Sequence, residues 1–170
     1  MLFVGINPGL YSAATGHHFA RPGNRFWPAL HKGGFTPRQL HPSEQEELLK
    51  NGYGITNLVN RGTAAADELA AEEFIRGRKR LAAKVRRYRP RIVAFLGVGA
   101  YCHAFGSKQA KVGPQGERFE EAAVWLLPNP SGLNANYQLP DLVRLFRRLW
   151  TASKLHSKAH GDQAGKAAQA

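Results

Sequence analysis

Cysteine is almost missing from this chain of 170 residues: Cys102 stands alone, so no internal disulfide can form. Four-cysteine zinc sites and iron-sulfur clusters held by this chain alone go with it, which removes most support for redox and metal chemistry. Long apolar runs are missing too. No stretch reaches the roughly 18 consecutive apolar residues of a membrane helix, and the start MLFVGINPG has neither the basic region nor the long apolar stretch of a secretory signal. A cytoplasmic protein with no membrane partner, nucleoid-associated if bacterial, is therefore expected. The third scarcity is negative charge: 12 Asp and Glu face 24 Lys and Arg, a net +12. An excess of that size points to a polyanionic partner, nucleic acid first.

What remains is the makeup of a globular domain, 43% hydrophobic and 21% charged. The last twenty residues carry no apolar period and only a small share of the positive charge, so 151–170 is expected to be a disordered basic tail behind one domain at 1–150. Four short apolar runs bounded by Gly, Pro or Asn predict strands at 2–6, 53–59, 92–97 and 123–127. Because they do not alternate, they suit strands covered on both faces. Helical patterns fall between them, at 24–32, 43–50 with a Ser43/Glu46 capping box, 72–89, 99–105 and 140–150 with Pro140 at its first position. The alternation of strand and helix predicts an α/β fold with a parallel sheet, whose ligands bind at the carboxyl ends of the strands.

Two loops leave that edge. The first strand ends in Gly5-Ile6-Asn7-Pro8-Gly9-Leu10 and the fourth in Pro128-Asn129-Pro130-Ser131-Gly132-Leu133-Asn134. Proline stiffens each loop and glycine lets a ligand come close to the backbone, a way to build a rigid pocket floor. A phosphate-cradling loop is excluded, because no Gly-Lys-Ser/Thr follows GINPG. The adjacent His17 and His18 project in different directions and have no third ligand nearby, so no metal site is expected.

GINPGL at 5–10, GHHFARPGNRFW at 16–27, YGITNLVNR at 53–61 and NPSGLN at 129–134 together resemble the mismatch-specific uracil/thymine DNA glycosylases, a branch of the uracil-DNA glycosylase superfamily. The resemblance spans about residues 1–150. It implies a three-layer α/β/α sandwich on a central four-stranded parallel sheet. It also implies hydrolytic excision of a mispaired base from double-stranded DNA by a monomer, with no cofactor and no metal.

Residue by residue, the resemblance makes Asn7 the water-positioning group and Phe19 the aromatic that stacks on the flipped base. Ser12 becomes a small polar pocket residue, and Ile6, Gly9, Asn57 and Asn129 complete the base pocket. Ser131, Gly132, Leu133 and Asn134 form a wedge loop that fills the gap left by the flipped nucleotide, with Leu133 intercalating and its neighbours facing the widowed guanine. Bacterial members often carry arginine after this loop, where this chain has Ala135. An amide at position 7 can orient water but lacks the charge to stabilise an oxocarbenium ion, so a slow enzyme is expected. With no lysine at either loop, lyase activity is not.

Two other readings stay open on sequence alone. One is a module of the same fold that binds mismatched or abasic DNA with little turnover; the other is a basic RNA-associated α/β protein. The run 76–91, nine basic residues and no acidic one, is either a solvated helix face or a phosphate contact.

Overall fold

A computed structural model describes the backbone of residues 1–167 and the side chains of residues 1–155. Its centre is one five-stranded sheet: β1 (Leu2–Gly5), β2 (Gly54–Asn57), β3 (Ile92–Leu96), β4 (Gly113–Phe119) and β5 (Ala122–Leu127), in the order β2-β1-β3-β5-β4. The four expected strands pair in parallel, and β4 adds an antiparallel edge. The expectation of four strands is thus corrected to five. The added strand reads GPQGERF, with Pro114 and a register irregularity between Pro114 and Arg118, the composition an edge tolerates and a central strand does not.

The apolar runs fail to alternate because both faces are covered. Phe3, Ile92, Ala94, Leu96 and Leu127 point to one layer, built on α2 (Phe26–Lys32) and α6 (Leu139–Ala167). Val4, Val93, Phe95, Val124 and Leu126 point to the other, built on α4 (Ala71–Tyr88) and α5 (Val98–Phe105). The first core is aromatic: Phe3 meets Phe26, Phe35 and Phe146 with ring centroids 5.3 to 6.1 Å apart, spacings at which ring pairs add attraction beyond area burial.

Element ends differ in places from the sequence expectation. The 43–50 segment is a 3-10 turn, Pro42–Glu44, followed by a short α3 (Glu47–Lys50). Its reciprocal cap is His41 with Glu44, not Ser43 with Glu46, because Pro42 starts the turn one residue earlier. A short α1 (Leu10–Thr15) follows the first loop, unannounced by any apolar stripe since its one buried residue is Ser12. Cys102 is half-buried. Finally, α6 continues past 150: the stretch expected as a disordered tail is helical through Ala167, with 168–170 outside the described residues. No proline lies beyond Pro140 and the first glycine comes only at Gly161, so nothing in the backbone stops the helix at Trp150. No described helix is long and apolar enough to cross a membrane.

Candidate active site at the carboxyl edge of the sheet

The first loop is zipped to the segment after β2. Leu58 and Val59 donate backbone hydrogen bonds to Gly5 and Ile6, and Thr63 donates to Pro8, so residues 5–9 continue the sheet pairing beyond β1. Inside this frame the Asn7 amide nitrogen donates to Thr63 Oγ1 at 2.7 Å, to the Arg61 carbonyl at 3.0 Å and, more weakly, to the Pro8 carbonyl at 3.3 Å. Carbonyl oxygens only accept, so these partners fix which end of the amide is nitrogen. The Asn7 Oδ1 is left without a protein donor among the described residues, on the side chain of a residue that lines a cavity of about 220 Å³.

That cavity gathers Ile6, Asn7, Gly9, Ser12, Phe19, Asn57, Thr63, Asn129, Ser131 and Leu133 from five separate segments. Asn57 sits at the end of β2, and its amide makes no protein hydrogen bond among the described residues. Gly5 is what lets it in. A Cβ at that position would lie 2.5 Å from Asn57 Oδ1 and 3.0 Å from the Phe19 ring, well inside contact distance. Phe19 stacks on Phe26 with centroids 4.2 Å apart and takes a positive φ of 54°, a strained conformation for an aromatic. Side chains on both sides hold it there: His18 N–H donates to Gln45 Oε1, Ala20 N–H donates to Ser12 Oγ, and Trp27 Nε1 donates to the His18 carbonyl. Ser12 therefore acts through the backbone that presents Phe19.

The second loop is stapled differently. Asn129 Oδ1 accepts from Ser131 N–H and Ser131 Oγ from Leu133 N–H, two local turns that leave Leu133 at the tip, 73% exposed. Asn134 spends its amide inside the loop, donating to the Asn129 carbonyl and accepting from Asn136 N–H. Gly132 lies against Gly23, where a Cβ would come within 2.6 Å of the Gly23 carbonyl. Above all, the Arg25 guanidinium donates to the carbonyls of Gly132, Asn134 and Tyr137 at 2.7 to 3.0 Å. Neither Gly132 nor Asn134 lines the cavity.

No carboxylate, lysine or cysteine is among the residues lining the cavity; His18 and Arg21 are its ionisable groups. Burial lowers the His18 pKa, with the Lys84 charge adding to it, so the imidazole is neutral at pH 7. With no carboxylate, lysine or cysteine in its lining, the chamber suits an uncharged planar ring and a bound water. A model of the uracil DNA glycosylase superfamily matches residues 1–154. The chain belongs to that superfamily.

Uracil-DNA glycosylases are hydrolases that release the base by cleaving its N-glycosidic bond, and DNA is accordingly a partner of this chain. A larger cleft of about 1020 Å³ shares Ile6, Ala66 and Asn129 with the small cavity and continues past the start of α5 to His103 and Lys111. The switch point of the glycosylase fold lies there, between β1 and β3, where the chain's crossovers turn in opposite directions. Of the two histidines, His18 lines the small cavity and His17 does not. Arg25, Thr63, Gln45 and Gly23 went unseen in the sequence. They act on backbone carbonyls or on one side-chain atom far along the chain, and such contacts leave no residue-type pattern.

Proposed function

We propose that the chain is a monofunctional, mismatch-directed uracil-DNA glycosylase, a monomer that excises uracil, and also thymine or other damaged pyrimidines, opposite guanine. A base inside a duplex cannot be reached, so the nucleotide rotates out at a cost of a few kcal/mol, least at a mismatch. The base then stacks on Phe19, and the Asn57 amide meets its edge. Leu133, exposed at the loop tip, enters the space the nucleotide leaves. Gly132 and Asn134 stand nearest the widowed guanine.

Bond cleavage leaves the electron pair on the departing base and cation character on the sugar; a water oxygen forms the new bond at C1′, and the proton it loses neutralises the base anion. The observation that carries this reading is the Asn7 amide. Its nitrogen is spent on three fixed acceptors, so its oxygen serves as a water acceptor and cannot swing away. With no carboxylate lining the cavity, the cation goes unassisted by a local negative charge, which favours a slow reaction. The absence of a lining lysine favours hydrolysis over strand cleavage through a Schiff base.

The test is base release from labelled duplexes carrying G·U, A·U and G·T pairs, followed by alkali to reveal abasic sites. Faster release from G·U than from A·U supports the mismatch reading. Equal rates would leave a general uracil glycosylase, and tight binding without alkali-labile product would mean a DNA-binding module.

A further inference from the structure

Apart from Lys84, whose charge reaches His18, helix α4 carries a feature the active site does not use. Its solvent face and the turn after it hold nine exposed cations, Arg76, Arg78, Lys79, Arg80, Lys84, Arg86, Arg87, Arg89 and Arg91, with no acidic residue between them. Among the described residues one of the nine is in a salt bridge, Arg86 with Glu120 at 2.8 Å, while Lys84 donates to Thr56 Oγ1 at 2.7 Å and Arg78 lies over the Phe105 ring at 4.7 Å. Arginines at 76 and 80, and basic residues at 80 and 84, stand four apart; those at 76 and 79, 84 and 87, and 86 and 89 stand three apart. Like charges at these spacings face each other on a helix and work against it. The first turn carries Glu72 and Glu73, and the basic part of the helix, residues 76–88, is about 20 Å long, so this is a continuous positive stripe and not a spot.

Its direction matters. Ala71 and Phe74, in the first turns, line the large cleft at the carboxyl edge of the sheet. The other end leads into β3 at the opposite edge, where Arg86, Arg89, Arg91 and Arg118 surround a separate cavity with Glu120 and Glu121. A duplex seated across the base cavity leaves the lower turns of α4 facing solvent. Tyr88, 68% exposed beneath the Arg87 guanidinium at 5.3 Å, adds an aromatic surface at that end.

We propose that the exposed face of α4 is a second DNA-backbone surface, so that one molecule holds a duplex at its base cavity and another DNA segment along this helix. The inference rests on DNA as the substrate polymer. Duplex DNA supplies one negative charge per roughly 1.7 Å of axis, a density able to answer a stripe whose cations are balanced by one acidic partner among the described residues. Holding two segments lets the protein pass between them without first dissociating into solution.

The experiment compares wild type with Arg76→Glu/Arg80→Glu/Arg87→Glu and with the charge-keeping Arg76→Lys/Arg80→Lys/Arg87→Lys. The first readout is retention of a labelled undamaged duplex on beads that carry a second duplex. The second is the slope of log affinity for undamaged duplex against log salt, and the third is single-turnover uracil release from a short duplex at saturating enzyme. Wild type and the lysine variant retain the labelled duplex. The glutamate variant loses it, its salt slope flattens by about 0.9 per phosphate contact removed, and uracil release stays within about twofold. Should the glutamate variant unfold, as thermal melting shows directly, the three alanine replacements take its place. Bridging and slope that survive removal of the charges overturn the proposal, and so does bridging explained by a dimer in sedimentation at the same concentration. Failure of uracil release in wild type would instead strike the glycosylase reading, leaving the bridging result to stand alone.

Discussion

The two loops at the active edge are built on opposite plans. The first, residues 5–9, continues the sheet ladder, and its functional side chain is itself the bonded group: Asn7 is held by Thr63, Arg61 and Pro8. The second, residues 129–137, is tied back to the pocket loops mainly by one guanidinium, Arg25, and its functional side chain, Leu133, touches little. A water must be placed to within tenths of an ångström, whereas a wedge has to enter a gap of variable shape. On the proposed roles of Asn7 and Leu133, the difference in anchoring matches the difference in task. Substitutions in the first loop should therefore act on the chemical step, and those in the second on access to duplex substrates.

Asn7→Ala is the sharpest way to break the comparison. It removes water placement and leaves Thr63 and the Arg61 carbonyl without their partner, yet touches no phosphate contact. Base release under single turnover should fall roughly 10²-fold or more while duplex affinity holds. A loss shared equally with single-stranded substrate is part of the expectation, because the water is needed on both. Wild-type turnover in this variant would sink the mechanism.

Arg25→Ala comes next. Three carbonyls of the second loop lose a charge-assisted donor at once, each such bond being worth about 1.5 to 3 kcal/mol before solvent screening. Release from a G·U duplex should fall on the order of 10-fold, with little change on single-stranded uracil DNA. Arg25→Lys should recover only part of it, since an ammonium cannot span three acceptors in one plane. Equal losses on both substrates would show that Arg25 serves the pocket and not the wedge.

Leu133→Ala tests the same loop at its tip and should cost less, a few-fold on duplex and nothing on single strands, because the loop itself stays folded. If Leu133→Ala exceeded Arg25→Ala on duplex, the loop would be preformed without its arginine.

These contacts also mark where the sequence was readable. The parallel strands were legible because burial on both faces leaves unbroken apolar runs, and the glycosylase loops because Asn-Pro-Gly and Asn-Pro-Ser-Gly sit at strand ends. Strand β4 was not, since an exposed edge places Pro114, Gly116, Glu117 and Arg118 where a central strand places valine. Helix α1 has six residues and one buried side chain, too little for a period to show. The cavity's lining was largely nameable in advance, but its supports were not. Arg25 reaches carbonyls more than 100 positions away, and any residue type at those positions offers the same oxygen.

The smallest effect concerns what stands behind the first loop. Arg61, whose carbonyl holds Asn7, is gripped through its side chain by Glu73 at 2.9 Å and by the Glu68 carbonyl. The Arg61 guanidinium and the Ala70 N–H together bring the Glu73 pKa down from 4.5 to about 2. A carboxylate with a lowered folded-state pKa contributes stability above its unfolded value and loses that contribution as pH falls toward the folded one. The window here runs from 4.5 down to about 2. The Arg61 side chain is half exposed, so solvent screens the pair and the contribution is small. Glu73→Gln should melt slightly below wild type at pH 7, and the gap should close as pH is lowered through that window. Uracil release at pH 7 should change by less than about twofold, because Asn7 is held by three acceptors and only one belongs to Arg61. A gap in melting temperature that persists unchanged to pH 2 would show that the pair does not titrate with the fold. A large loss of activity would mean that the Arg61 carbonyl, and not the three acceptors jointly, keeps Asn7 in place.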